Sequence, residues 1–316
     1  GQMYSQAMDR TGFEYHTIRA DSLVSERIQF VRRRTNLSWS HHREVAALEP
    51  PEQDVWLAKA EEGEWTCAHL RLELRAARYE VAKLRDRAIA IEQVGGDCAL
   101  IRVIHDDMMA VLPPMALHFD LVIADPPYNV TPWTWDQLGD AQEFIDKARQ
   151  WLQTIRGVVK PKYTLFWFCS PHYAADMEML FRELAMPIKS RVVWHRRNLA
   201  MGANPDNSFV GSWEMVFHVG NRPLNLPELW DDGRFDVQIF PVPQTNFEDE
   251  KVHPTQKPLK LIERLVEFGS YPGDLVLDPF AGGGTTGAAC QIVGRQCILV
   301  EREGEYITAI RQRLGL

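Results

Sequence analysis

The stretch Leu275-Val276-Leu277-Asp278-Pro279-Phe280-Ala281-Gly282-Gly283-Gly284-Thr285-Thr286-Gly287 decides the fold. Its apolar run closing on an acid reads as a buried strand, the glycines as a tight turn, and Thr285 onward as the start of a helix. A second apolar run, Cys297-Ile298-Leu299-Val300, closes on Glu301. Strand, glycine turn, helix and strand make one parallel unit of an α/β sheet. Glycines at such a turn let backbone approach a ligand closely, and an acid ending the next strand suits the two hydroxyls of a ribose. Gly282, Gly284 and Gly287 fit the dinucleotide fingerprint, with Glu301 near the distance expected of its acid. Only one helix, Tyr306 to Leu314, is expected after Glu301, and the second mononucleotide unit that a dinucleotide needs is not. The pattern serves one nucleoside better than two.

Working outward, another apolar strand, Leu121-Val122-Ile123-Ala124, runs into Asp125-Pro126-Pro127-Tyr128. Asp and Pro end strands in turns on their own account, so this tetrapeptide alone is ambiguous. Chemically it suits a flat, amine-bearing ring. The Asp125 carboxylate can accept one amine N–H, the Pro126 carbonyl the other, and Tyr128 offers a face for stacking. An aromatic amine is a poor nucleophile because its lone pair is delocalised, and two acceptors favour the pyramidal geometry that frees that pair. A methyl is the simplest group such a nitrogen takes up.

Between and around these motifs the chain alternates. Strands are expected at about 98–105, 119–124, 164–169, 190–196, 214–219, 275–278 and 297–301, with helices near 140–156, 172–185, 259–268, 285–293 and 306–314. The fold class is therefore α/β, a doubly wound sheet with Asp125 and Asp278 at strand C-termini, where ligands bind at a switch point. Residues 221–252, rich in Pro, Asp and Asn, carry no long periodic run.

Both motifs and what lies between them resemble the DNA amino-methyltransferases that use S-adenosylmethionine, in the circularly permuted β group. There a D-P-P-Y catalytic half precedes an F-x-G-x-G cofactor half, with H-P-T-x-K-P just before the latter. This chain has Asp125 to Tyr128, then His253-Pro254-Thr255-Gln256-Lys257-Pro258, then Phe280-Ala281-Gly282-Gly283-Gly284, in that order. The match spans about Gly96 to Leu316, departing slightly where Gly283 stands for the more usual Ser. The resemblance implies a Rossmann-like methyltransferase sheet. It also implies catalytic roles for Asp125, Pro126, Pro127 and Tyr128. Phe280, Ala281, Gly282, Gly283, Gly284 and Thr285 would wrap the cofactor, with Asp278 beneath its amino group and Glu301 on its ribose. His253, Thr255 and Lys257 would gather at its amino-acid end. Asp107 matches the acid that reads the adenine amine, with Asp106 and Asp97 as competing choices.

A 316-residue chain that is 45% hydrophobic can bury one large core and a small appendage. Its five cysteines include no C-x-x-C pair, and with no membrane-length apolar run and no secretory pattern a cytoplasmic protein is expected. A net charge of −8 runs against nucleic-acid binding, so charge distribution has to carry it. Lys189, Arg191, His195, Arg196 and Arg197 cluster around a strand with Trp194. An ordinary solvated edge would look the same, but the resemblance puts this region beside the DNA cleft, so Lys189, Arg191, Arg196 and Arg197 are the candidate phosphate contacts.

Residues 1–95 form a separate helical region, with helices at His41–Leu48, Pro51–Glu61 and Thr66–Glu92 and N-caps at Ser40 and Thr66. Leu70, Leu74, Ala77, Val81, Leu84, Ala88 and Ile91 make a heptad seam that fits either a homodimer coil or packing within the protein. A helix-turn-helix within 41–75 is a weaker alternative, and the region, with Arg32-Arg33-Arg34, is expected to supply DNA grip or a partner surface. The resulting expectation is a DNA methyltransferase acting on N6 of a flipped-out adenine, its core at 96–316 and its target recognition in 221–252, needing no metal. N4 of cytosine is the runner-up, RNA a further alternative, and a catalytically silent DNA-binding regulator the reading from another class.

Overall fold

The computed structural model describes residues 15–78, 81, 100–130, 136–196, 211–226, 234–243 and 255–316. The chain divides into two compact units, Gly1–Ala82 and Lys83–Leu316.

The first unit holds helices α1 (Tyr15–Arg27), α2 (Trp39–Val45), α3 (Pro50–Glu62) and α4 (residues 67–78). Pro50 and Pro51 open α3, where their missing N–H groups cost no hydrogen bond. Thr66 caps α4 as expected, its hydroxyl accepting from the His69 N–H at 3.2 Å. The cap of α2 is Ser38 rather than Ser40, because Trp39 already belongs to the helix. Helix α1 was not expected from the pattern. Val24, Ile28, Val45, Leu57, Ala60, Leu70 and Leu74 form one core, so the first two seam leucines pack within their own unit, while Val81 is exposed and Leu84, Ala88 and Ile91 lie outside the described residues. The arginine triplet is engaged internally. Arg32 pairs with Asp54, Arg34 with Glu61 at 3.2 Å, and Arg33 donates to the carbonyls of Ser25 and Ile28.

The second unit is an eight-stranded sheet in the order β1-β8-β7-β2-β3-β5-β4-β6. Its strands are β1 (Ile101–His105), β2 (Phe119–Ala124), β3 (Val159–Cys169), β4 (Ile188–His195), β5 (Trp213–Gly220), β6 (Val237–Ile239), β7 (Leu275–Asp278) and β8 (Gln296–Glu301). All run parallel except β5, which is antiparallel to both β3 and β4. The helices are α5 (Met108–Val111), α6 (Ala141–Val158), α7 (Ala174–Glu183), α8 (Leu259–Gly269), α9 (Thr285–Val293) and α10 (Gly304–Leu314).

Strand alternation divides the core in two. Val122, Ala124, Leu165, Trp167 and Phe217 face α6 and α7, whereas Leu121, Ile123, Phe166, Phe168 and Val216 face α8, α9 and α10. Helix α6, after β2, and α9, after β7, thus leave neighbouring strands for opposite faces. That divergence opens a crevice beyond Ala124 and Asp278, the switch point expected of a doubly wound sheet. Gly287 lets α9 sit tightly here, since a Cβ would lie 2.7 Å from Leu299 and 2.8 Å from Leu314.

Candidate active site

Asp125 follows β2 directly, and its carboxylate oxygens are both occupied. The Tyr128 hydroxyl donates to Oδ1 at 2.6 Å, and Lys257 Nζ donates to Oδ2 at 2.7 Å. Both donors also reach a second carboxylate, Glu214 on β5. Its Oε2 lies 3.3 Å from the Tyr128 hydroxyl and 3.4 Å from Lys257 Nζ, and its Oε1 lies 3.6 Å from Arg196. Burial, then Asp125 and Glu214, pushes the Tyr128 phenol well up, so it remains an O–H donor. Burial alone would pull Lys257 down, but Asp125 and Glu214 outweigh it and hold the ammonium above the ordinary lysine range.

The loop carrying these groups is tied from beneath. Asp136, 1% exposed, accepts the N–H groups of Tyr128 and Asn129 on Oδ1 and that of Val130 on Oδ2, at 2.5, 2.8 and 3.0 Å. Three donors on one carboxylate fix the backbone after Pro127, and Asn129 takes up a left-handed φ of 57° there.

The same cavity, about 300 Å³, continues past β7 to β8. The buried Asp278 accepts from the Phe280 N–H at 3.0 Å and from Thr286; burial raises its pKa from 3.8 to about 7 despite those donors. Glu301 accepts from the N–H groups of Gly282 (2.7 Å) and Glu303 (2.8 Å), and burial raises its pKa too. Gly282 and Gly284 have φ of 50° and 72°, left-handed values the turn needs. The Phe280 ring meets Trp151 edge to face at 5.1 Å. Asp107 caps α5 through the Met109 N–H at 2.8 Å, using Oδ1, with Oδ2 4.0 Å from Arg302. A slot with carboxylates at both ends and apolar Ile123, Met108 and Val300 along it suits a nucleoside carrying a cationic tail.

One cavity therefore brings together Asp125, Pro126, Pro127, Tyr128, Asp106, Asp107, Thr255, Lys257, Asp278, Phe280, Ala281, Gly282, Gly283, Thr285 and Glu301. Gly284 stands behind it as the cap of α9. His253, Arg197 and Asp97 lie outside the described residues. Among the basic candidates Arg196 lines the cavity, whereas Lys189 and Arg191 do not, and Arg191 is paired with Glu178 of α7 at 2.6 Å. Lys257 sits on the Asp125 carboxylate, a placement that motif order alone did not indicate. The sequence reading also missed Asp136, Trp151, Glu214 and Thr286. Thr286 lay within the quoted glycine-turn motif, and Trp151 had a signal as part of the buried stripe of α6 with Phe144, Ala148 and Ile155.

Among the described residues no helix is long and apolar enough to cross a membrane, and no cluster of His, Cys, Asp or Glu could hold a metal ion. The family model described as DNA methylase matches residues 119–312. The Type II methyltransferase M2.DpnII of Streptococcus pneumoniae is 28% identical over 67% of this chain and 88% of its own length. M2.LlaDCHI of Lactococcus lactis subsp. cremoris is 26% identical over the same shares. The crystal structure of an M1.HpyAVI–SAM complex aligns with a TM-score of 0.57 at 26% identity, covering 68% of this chain and all of that one. The PvuII cytosine-N4-specific DNA methyltransferase aligns at 0.59 with 16% identity, over 67% of this chain and 86% of that one, a likeness of fold alone.

Proposed function

The chain belongs to the DNA methylase family, and we propose that it transfers a methyl group from S-adenosylmethionine to N6 of adenine in a base flipped out of duplex DNA. The observation that carries this reading is the single cavity that joins an Asp125–Tyr128 pair to a nucleoside slot ending on Glu301.

The donor set fits the methyl donor. Asp278 is a buried acid whose ionised form is disfavoured until a cation arrives, Glu301 suits ribose hydroxyls, and Phe280, Ala281 and the glycine turn present backbone at close range. Asp107 or Asp106, at the far wall, would accept from the adenine amine. S-adenosylmethionine, when bound, supplies an electrophilic methyl whose bond to sulfur breaks as the bond to nitrogen forms, the electron pair staying on sulfur. Asp125 accepts a hydrogen bond from the target amine and orients its lone pair. Once nitrogen is cationic, its extra proton leaves through Asp125 or to water. Tyr128 stacks on a base only if that base has left the helix. The rate then rests on positioning within one cavity rather than on a strong base.

Asp at the first motif position supports adenine over cytosine, since the resembling enzymes with Asp there lean to adenine and those with Ser to cytosine. Arg196, the described basic candidate on the cavity wall, would meet the DNA backbone. The M2-type relatives make a restriction-modification setting a natural context. Incubation with unmodified duplex DNA and S-adenosylmethionine, followed by digestion to nucleosides and mass spectrometry, tests the reading. N6-methyldeoxyadenosine supports it; N4-methyldeoxycytidine, or no methylated nucleoside, refutes it.

A further inference from the structure

Methyl transfer as proposed uses Asp125 and Tyr128, yet the same few ångströms hold another carboxylate and an ammonium. Lys257 is 6% exposed and boxed by aromatic faces, its Nζ 5.2 Å from the Tyr128 ring, 5.3 Å from Phe168 and 6.0 Å from Trp194. A buried ammonium persists only with anionic partners, and this one has two, Asp125 and Glu214. From the carboxylates' side, Asp125 and Glu214 share the Tyr128 hydroxyl and the Lys257 ammonium as common donors.

We infer that Lys257 is a positioning residue for Asp125: its charge lets two neighbouring carboxylates ionise together, so that Asp125 meets the target amine as an acceptor, and Glu214 is the counter-charge that anchors it. The inference rests on Asp125 accepting from the amine, as proposed above. A carboxylate accepts hydrogen bonds, whereas a protonated carboxyl also donates and would oppose an incoming N–H. Without Lys257, Asp125 and Glu214 would face each other across one phenol, and like charges that close hold a proton between them.

Among the described residues, Lys257 is the cation that pairs with Asp125. Facing it are Tyr128 with Asp136 beneath its loop, Cys169 at the end of β3, Glu214 on β5, Lys257 ahead of α8 and Asp278 at the end of β7. Arg196, after β4, contacts Glu214 through Oε1, the oxygen remote from the shared donors. Among the described residues the positive charge on Asp125 is therefore Lys257's.

The test is the pH dependence of single-turnover methyl transfer to duplex DNA for wild type, Lys257→Met, Lys257→Arg, Glu214→Gln and Lys257→Met/Glu214→Gln, with S-adenosylmethionine affinity measured on each. Lys257→Met should move the acid limb of the profile upward by about one pH unit or more, so that the rate is lower by up to roughly tenfold on the acid side of the limb and recovers above it. Adding Glu214→Gln should return the limb toward wild type and recover most of that loss, because one carboxylate no longer needs a partner cation. Lys257→Arg should stay near wild type, and S-adenosylmethionine affinity should change little throughout. A pH-independent loss unrelieved by the second substitution overturns the inference, as does loss of S-adenosylmethionine binding, which would return Lys257 to the cofactor's amino-acid end. Should Lys257→Met fail to fold, Glu214→Gln alone decides: its limb must move to lower pH. Retained activity in Asp125→Ala would instead sink the underlying reading of the site, whatever Lys257 does.

Discussion

Asp278 ties the fold's stability to its ligand. Burial raises this acid from 3.8 to about 7. The folded chain therefore holds a proton between those values that the unfolded chain has released, and the contribution of Asp278 to stability falls as pH rises from about 4 to about 7, levelling off above. Between pH 5 and pH 8 the loss works out at about 2–3 kcal/mol, at 1.36 kcal/mol per unit. Other acids titrate in the same range, so the comparison is with Asp278→Asn, which keeps an acceptor for the Phe280 N–H. In urea denaturation from pH 5 to 8 without ligand, the variant should gain on wild type by that amount. A cationic ligand on the carboxylate should draw the proton off. Below about pH 7, S-adenosylmethionine binding should release a proton in wild type and not in the variant, seen as a buffer-dependent enthalpy in titration calorimetry. A stability difference flat across pH 5–8, with no proton release, would refute the reasoning.

Other outcomes follow from single contacts. Glu301→Ala removes the acceptor for the Gly282 and Glu303 N–H groups and, in the proposed site, for ribose hydroxyls, and should weaken S-adenosylmethionine binding by about 2–4 kcal/mol in titration. Unchanged affinity would shift the ribose contact to Glu303. Asp136→Ala strands the N–H groups of Tyr128, Asn129 and Val130, so turnover should fall by about a hundredfold or more while cofactor affinity holds; a near-native rate would show that the loop keeps its shape unaided. Leu70→Ala should cost the helical unit about 2–5 kcal/mol in thermal or urea unfolding, because Leu70 is fully buried in that unit's own core. An unchanged transition would place the seam's role elsewhere.

The backbone of the half of the candidate site around the glycine turn was legible because it is local. Strand, glycine turn, helix and closing acid lie within Leu275–Glu301, and each step follows from backbone geometry. The DPPY corner was legible for the same reason. What escaped depends on contacts distant in sequence. Lys257 and Asp125 are 132 residues apart, so motif order placed Lys257 with the cofactor while the fold places it on the Asp125 carboxylate. Glu214 is the second residue of β5, which the sequence pattern was read to begin at 214, and nothing local marks it as functional. Asp136 stands alone in a loop. In the sheet, β6 escaped because three residues with only Gln238 buried give no alternation to read. Strand β3 begins five residues early because Lys160-Pro161-Lys162 resembles a loop, yet Val159 pairs with Phe119 across a register shift. The reversal of β5 has no periodic signature, since both strand directions show the same alternation.

In the proposed mechanism Asp125 acts at the amine while a separate part of the cavity binds the methyl donor. Single-turnover transfer of a labelled methyl to duplex DNA, compared between wild type and Asp125→Ala at saturating S-adenosylmethionine, tests this most directly. The expected result is a rate lower by about 10³-fold or more in the variant, with donor affinity within about tenfold of wild type. A near-native rate in Asp125→Ala would contradict the mechanism.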